Sequence, residues 1–332
     1  MRKLASVQRV LEVASIPNAD KIEEIKVMGW HCVAKKGEFK VGDSVVYCEI
    51  DTILPADNPD FAFLEGKPIK TKKLRGIYSQ GIAFPLSVLP DGTYKLNDDV
   101  SQVLGAKKWE PDDYNRQGGA GARFPSWIPK SDETRIAVLQ EYLTRYKGTK
   151  CVVTEKLDGS SLTAFLDDEK ELHVCSRNLE ITDHANFMYK TAEERGFKEK
   201  LLHFPIGTVV QGEIIGAGIQ GDKYKLPKKN IFIYNLREEN QFPQNELSAR
   251  DKLKNAGFDL VPLLDDNFEL IDDIDKLTEM SVGKSKLYNT EREGIVIRPI
   301  KRINVQDSDG YFVDGRFSVK AISPKFLVKN GL

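Results

Sequence analysis

The chain has 332 residues, 40% hydrophobic and 30% charged, with a formal net charge of −1, which describes a soluble globular protein long enough for two separately cored domains. With 49 basic residues against 50 acidic ones, no global charge draws it to nucleic acid, and any such affinity must come from local patches. The start Met1-Arg2-Lys3-Leu4-Ala5-Ser6 lacks the apolar core of a signal peptide, no window approaches the roughly 18 apolar residues of a membrane span, and Cys32, Cys48, Cys151 and Cys175 form no C-x-x-C pair; neither a disulfide framework nor a zinc ribbon is suggested, no membrane partner is expected, and an intracellular protein is expected, cytoplasmic or, in a eukaryote, nuclear.

Residues 1–108 read as β-rich. Short runs at 22–27, 30–34, 44–50 and 81–84 are separated by turn residues such as Lys36-Gly37 and Val41-Gly42-Asp43, a rhythm that predicts a small closed β-barrel. Lys67, Lys70, Lys72, Lys73 and Arg75 then form a basic run ending beside Tyr78. Such a run either tracks a phosphate backbone while an aromatic stacks on a base, or is a solvated loop.

Between Pro111 and Pro129 the chain turns rich in Gly and Pro, with Gly118-Gly119-Ala120-Gly121 at its centre, so residues 109–130 are predicted to be a linker and lead-in. Ser131 or Asp132 offers an N-cap, and Ile136, Leu139, Leu143 and Tyr146 follow at helical spacing; a helix is expected there. The remainder, 131–332, mixes predicted strands at 151–154, 162–166, 209–214, 231–236 and 295–298 with predicted helices at 185–202, 248–256 and 272–282, an α+β domain.

The chemistry gathers around Thr154-Glu155-Lys156-Leu157-Asp158-Gly159. A lysine at a strand end, two residues before an Asp-Gly pair, suits a nucleophile at a pocket mouth. Its neutral fraction at pH 7 is below roughly one in a thousand, so a neighbouring cation or partial burial must favour the uncharged amine. Gly159 would let the backbone approach a ligand closely. The K-x-D-G string alone recurs by chance in about one chain of this length in ten, and a surface lysine before a turn explains it equally well. Further along come Ser176-Arg177-Asn178 after a strand-like run, Gly212-Glu213 ending an apolar strand, Phe232 and Tyr234 alternating on one face, Glu293-Gly294 entering another strand, and Lys320 in a strand-like run. Singly each has a structural explanation. His31, His173, His184 and His203 show no ligand spacing.

In order and spacing, Lys156-Leu157-Asp158-Gly159, Ser176-Arg177, Gly212-Glu213, Phe232, Glu293-Gly294-Ile295-Val296-Ile297-Arg298 and Lys320 resemble motifs I, Ia, III, IIIa, IV and V of the covalent nucleotidyltransferases, the ligases and mRNA capping enzymes. Phe124-Pro125-Ser126-Trp127-Ile128-Pro129-Lys130-Ser131-Asp132-Glu133-Thr134-Arg135 resembles the lead-in of RNA ligases that seal nicks in duplexes, and Ile16-Pro17-Asn18-Ala19-Asp20-Lys21 through Ile53-Leu54-Pro55 resembles the OB-fold modules of tRNA-binding domains. An OB domain ahead of such a core is the arrangement of the fifth RNA ligase family. The resemblance therefore implies an all-β OB-fold barrel followed by a ligase-type, ATP-grasp-like nucleotidyltransferase domain.

The same resemblance implies that Lys156 attacks the α-phosphorus of ATP, that the AMP passes to an RNA 5′-phosphate, and that a 3′-hydroxyl displaces it. Asp158, Glu213 and Glu293 would organise Mg²⁺ or Mn²⁺, Glu155 would help read adenine, Phe232 would stack on it, Arg177 would hold ribose or phosphate, and Lys320 would contact the α-phosphate. The expected partner is RNA or a nicked RNA/DNA duplex, gripped by Lys67, Lys70, Lys72, Lys73 and Arg75, with the protein a monomer. One position departs from the pattern: Ser318 stands where the first of two motif V lysines is usual, which removes a cation unless Arg316 or Lys325 substitutes. A DNA ligase or a capping guanylyltransferase shares the motifs but carries its OB domain after motif V, whereas this chain ends shortly past Lys320. A non-catalytic RNA-binding protein with a relic nucleotidyltransferase domain is the remaining alternative.

Overall fold

The computed structural model describes residues 2–109, 121–307 and 310–332. The central part of the expected linker, with Gly118 and Gly119, lies outside them. Two compact units emerge, and they interleave along the chain: one gathers Met1–Pro111 with Ile136–Glu141 and Pro324–Leu332, the other Asp112–Arg135 with Tyr142–Ser323. The carboxy-terminal helix Pro324–Asn330 thus belongs to the amino-terminal unit, where the Leu332 carbonyl accepts the Thr71 amide at 3.0 Å.

In the first unit, strands β1 (Ala5–Ser15), β2 (Ile22–Val27), β3 (Trp30–Lys35), β4 (Ser44–Cys48), β5 (Thr52–Ile53), β6 (Lys72–Leu74), β7 (Ile77–Ser79), β8 (Ile82–Pro85) and β9 (Lys107–Lys108) follow one another. Five of them form one curled sheet in the order β3-β2-β1-β4-β8. Ladder pairing leaves β3 and β8 as edges, so the expected closed barrel is joined instead by single bonds: the Gln80 amide donates to the His31 carbonyl at 2.8 Å and the Val33 amide to Ser79 Oγ at 3.0 Å. Val10, Ile25, Val27, Trp30, Cys32, Val45 and Tyr47 fill the interior. The long β1 shows no clean alternation because its register slips between Val10 and Glu12, where it leaves β4 for β2; a bulge of this kind turns an apolar residue outward, and Leu11 is exposed.

The second unit holds two sheets. One runs β10-β15-β14-β13-β16-β17 and the other β11-β20-β19-β12-β18, built from β10 (Gly121–Arg123), β11 (Thr134–Arg135), β12 (Lys150–Lys156), β13 (Ser160–Leu166), β14 (Leu172–Cys175), β15 (Leu179–Ile181), β16 (Val209–Ile215), β17 (Asn230–Arg237), β18 (Leu263–Glu269), β19 (Gly294–Pro299) and β20 (Val319–Ile322). Helices α1 (Gln140–Arg145), which begins in the first unit, α2 (Phe187–Glu194), α3 (Phe197–Leu201), α4 (Glu246–Asn255) and α5 (Ile274–Ser281) accompany these strands. Part of the predicted linker is folded into this unit: β10 pairs with β15, and Ile128 is buried against Phe165, Cys175 and Val209.

Three elements differ from expectation. The helix predicted over 185–202 is two helices, parted where Gly196 takes φ +66°, a conformation that ends α-helical hydrogen bonding. β18 escaped notice because it is an edge strand with mostly exposed residues and two adjacent aspartates. No helix starts at Ser131 or Asp132; Thr134 and Arg135 pair in parallel with Val319 and Lys320, a 3₁₀ turn covers Ile136–Val138, and α1 begins only at Gln140. Tertiary pairing of this segment overrides its local helical pattern. All four cysteines are buried free thiols. Among the described residues no helix is long and apolar enough to cross a membrane.

Candidate active site

A cavity of about 200 Å³ opens in the second unit, with walls drawn from both of its sheets. Strand register places its central groups. Lys156, the last residue of β12, pairs with Gly294, so Glu293 enters β19 alongside it and Glu293 Oε2 accepts from Lys156 Nζ at 2.8 Å. On the other sheet Ser161 pairs with Glu213. A turn of three residues from Lys156 to Ser160 carries the chain between the sheets, and Gly159 is needed there for a reason other than ligand approach. A Cβ at that position would lie 2.3 Å from the Ile214 carbonyl oxygen, whereas the Gly159 amide instead donates to Glu213 Oε1 at 3.0 Å. Gly294 is as tightly placed, 2.2 Å in the same sense from the Ala321 carbonyl.

The charge around Lys156 runs against the sequence expectation. Burial works against its ammonium, but Glu293, Glu213 and Asp158 outweigh burial and raise its pKa. The carboxyl groups around it thus favour the protonated nucleophile, since a nearby acidic group stabilises the charged amine. Glu213 carries the cost: burial first, with Glu293 and Asp158 adding to it against Lys156, pushes its carboxyl up to about 8. Asp158 is tied at both ends to the loop after β16. Its carboxylate is ion-paired with Lys223, and its amide donates to the Tyr224 hydroxyl at 2.8 Å.

These groups test whether a nucleotide and a divalent ion fit. Glu155 is buried at the cavity wall; its Oε2 accepts from the Lys286 amide at 2.8 Å and Ser285 stands beside the carboxylate, while Oε1 has no partner in good hydrogen-bond geometry. Ser160 Oγ, also lining the cavity and buried, lacks one too. Unsatisfied buried polar atoms beside an open space are what a bound polar ligand completes. Among the described residues no three His, Cys, Asp or Glu side chains converge as direct metal ligands. Glu213 and Glu293 line the cavity, whereas Asp158, ion-paired with Lys223, is not among its lining residues; hard carboxylate oxygens of this kind suit an ion such as Mg²⁺ or Mn²⁺.

The remaining predicted residues divide. Arg177 and Lys320 line the cavity, both beside Asp132. Burial, with Lys156 and Arg135 nearby and Asp132 opposing, brings the Lys320 ammonium down to about 8. Phe232 is not among the lining residues; it packs with Leu157, Ile215, Tyr224 and Val261, of which Leu157 and Val261 face the cavity. Tyr234, two residues on, does line it, with its hydroxyl 2.7 Å from Ser131 Oγ. Arg316 is not a spare cation: it is buried on Glu246 at 2.5 Å and Asn235 at 2.9 Å. Ser318 Oγ accepts from Arg298 Nε at 2.9 Å, and Lys325 belongs to the carboxy-terminal helix of the first unit. In that unit, Lys72, Lys73 and Arg75 stand exposed on the β6–β7 hairpin, with Lys73 over the Tyr78 ring at 5.1 Å; Lys67 pairs with Glu65, and Lys70 donates to the Gly331 carbonyl at 2.5 Å.

Sequence reading missed Asp132, Glu133, Arg135 and Lys223. The first three lie in the segment read as a helix start. Lys223 gave no signal, since only the fold of its loop brings it to Asp158.

Glu213→Gln provides a test of this electrostatic picture. A carboxyl whose folded pKa is raised contributes stability present below its ordinary value of 4.5 and lost as the pH climbs through about 8. The amide keeps an acceptor for Gly159 and removes the buried charge. At pH 8.5 without divalent ions, Tm by calorimetry should rise by about 1–4 °C; a fall would show that the charged carboxylate is well compensated.

An OB-fold domain family model matches residues 4–86 and an RNA ligase family model residues 149–322. Comparison with curated proteins finds no match. Among solved structures, Naegleria gruberi RNA ligase with PPi is 34% identical, covering 99% of each chain at a TM-score of 0.87. A lysine-to-alanine mutant of the same ligase with ATP and Mn is 33% identical, covering 98% of this chain and 99% of the other at 0.88. A glutamate-to-alanine mutant with AMP and Mn is also 33% identical at 0.88, covering 99% of both.

Proposed function

The chain belongs to the RNA ligase family and is an ATP-dependent ligase of RNA ends, and we propose that it seals nicks in duplexes, in RNA repair, through an AMP carried on Lys156. The observation that carries this reading is the placement of Lys156 Nζ, 2.8 Å from Glu293 at a cavity whose buried Glu155 Oε1 awaits a donor. An exocyclic amine of adenine is such a donor. Asp158, Glu213 and Glu293 would hold Mg²⁺ or Mn²⁺ through water, and that charge, once bound, offsets the carboxylates that keep Lys156 protonated and stabilises the anionic phosphorus centre.

In the first transfer the neutral Lys156 amine forms a bond to the α-phosphorus as the bond to pyrophosphate breaks, with the proton passing to a neighbouring carboxylate or solvent. Lys320 and Arg177, which line the same cavity, would stabilise the charge that develops on the phosphate oxygens. An RNA 5′-phosphate then takes the AMP, freeing Lys156, and a 3′-hydroxyl displaces AMP to leave the phosphodiester. Phe232, behind Leu157 and Val261, backs the adenine face of the cavity.

The first unit is assigned to the RNA. Lys67, Lys70, Lys72, Lys73 and Arg75 give it a basic strip that would follow the phosphates on the 3′-hydroxyl side of the nick. Intact-protein mass after incubation with ATP and Mg²⁺ or Mn²⁺ should show an AMP adduct that disappears as a 5′-phosphorylated nicked duplex is joined. A GMP adduct formed in preference would indicate capping chemistry. Changing Lys72, Lys73 and Arg75 together to alanine should leave adduct formation intact and lower sealing about tenfold at 150 mM salt; unaltered sealing would remove the hairpin from the RNA interface.

A further inference from the structure

Asp132 occupies an unusual place for an acidic residue, at a cavity that receives an anion. Its Oδ2 is held by Arg177 and its Oδ1 lies 3.7 Å from Lys320 Nζ. These are the two cavity-lining cations assigned above to the nucleotide's phosphate. A carboxylate and a phosphate offer such cations similar pairs of oxygens, and a guanidinium accepts either. Both neighbours of Asp132 are anchored. Ser131 Oγ is 2.7 Å from the Tyr234 hydroxyl, and Glu133 is bonded to the buried Arg298 at 2.7 Å. The backbone at 132 is thereby pinned, and the carboxylate is free to move only by rotating its side chain. That side chain is 51% exposed against 14% for Glu133, so leaving its partners for water costs little.

We propose that Asp132 is an internal surrogate for the nucleotide phosphate: it holds Arg177 and Lys320 in the empty site and is displaced by ATP. The inference rests on the nucleotide reading of this cavity. Two consequences follow. The cations are kept in position for the incoming phosphate rather than being drawn to the Lys156 carboxylates. Apparent affinity is reduced by the fraction of molecules in which the surrogate is seated.

The test uses the full chain in a Lys156→Ala background, which blocks turnover, with ATP binding measured by calorimetry in Mg²⁺. Asp132→Asn, close in shape and half exposed, should tighten ATP about twofold to tenfold. Removing any anion near a triphosphate would do something similar through its field alone, so a double-mutant cycle with Arg177→Gln separates the two causes. If Asp132 acts by occupying Arg177, most of the gain should vanish when Arg177 is already absent. A gain that persists in full, or ATP bound equally or more weakly by Asp132→Asn, would overturn the surrogate role while leaving nucleotide binding in place. No ATP binding whichever residue stands at 132 would overturn the nucleotide reading and this inference with it.

Discussion

Lys156→Ala is expected to leave the protein with no AMP adduct after incubation with ATP and either divalent ion, a loss of about 10⁴-fold or more in the first transfer. The covalent bond must form on an amine at the α-phosphorus, and Lys156 is the amine seated among Glu293, Glu213 and Asp158. Alanine also leaves those three carboxylates without their central countercharge, so misfolding has to be distinguished from lost chemistry. Lys156→Arg makes the distinction. It keeps the positive charge but does not deprotonate at accessible pH, and it should fold and remain unmodified. An adduct that persists in both variants would place the nucleophile elsewhere, with Lys320 the first residue to examine, since its ammonium is already brought down to about 8.

The largest effect on stability is expected at Arg298. At the end of β19 its guanidinium is buried and donates to four acceptors: Glu133 Oε1 at 2.7 Å, Glu246 Oε1 at 3.3 Å, the Tyr234 carbonyl at 2.6 Å and Ser318 Oγ at 2.9 Å. Arg298→Met leaves two buried carboxylates short of a partner, which costs about 3–5 kcal/mol when one half of a buried pair is removed. That corresponds to a fall in Tm of about 10 °C. Lysine should not rescue it, because one ammonium cannot span four acceptors arranged around a planar fork. A Tm within about 2 °C of the parent would mean that Arg316, which also reaches Glu246, carries the network alone.

The same pair sets an acid limit. Burial would raise the Glu133 carboxyl, but Arg298 and Lys320 more than reverse it and hold it at about 2, against an ordinary value of 4.5. A lowered carboxylate contributes stability that is fully present above the ordinary value and lost as the pH falls from about 4.5 towards 2. In Arg298→Met this part of the acid unfolding curve should flatten.

The Arg298 network also gives Ser318 a physical reason. The hydroxyl accepts from Arg298 Nε, and a lysine there would set a second cation against that guanidinium. The Ser318 hydroxyl at this position thus belongs to the Arg298 network, and Lys320 is the cavity-lining cation of β20.

Legibility in the sequence followed the range of the interaction. The apolar strands at 151–154, 209–214, 231–236 and 295–298 were readable because each carries its burial in consecutive residues, and all four lie within the strands observed. The segment 131–135 was misread because its short-range signals, a cap residue followed by apolar spacing, describe a helix, while its observed form is set by Arg298 and β20, more than 160 residues away.

By itself the sequence determined the β-rich character of the first unit and the family, and it supplied Lys156, Asp158, Arg177, Glu213, Glu293 and Lys320 as the candidate site residues, because covalent chemistry on a phosphate demands particular side chains in a particular order. Only the tertiary structure decided how their charges balance. Lys223 on Asp158, Asp132 on Arg177 and Lys320, and Glu133 on Arg298 are pairings between side chains tens to well over a hundred residues apart. Coulomb attraction depends on distance in space and on burial, and neither is written in the spacing of residues along the chain.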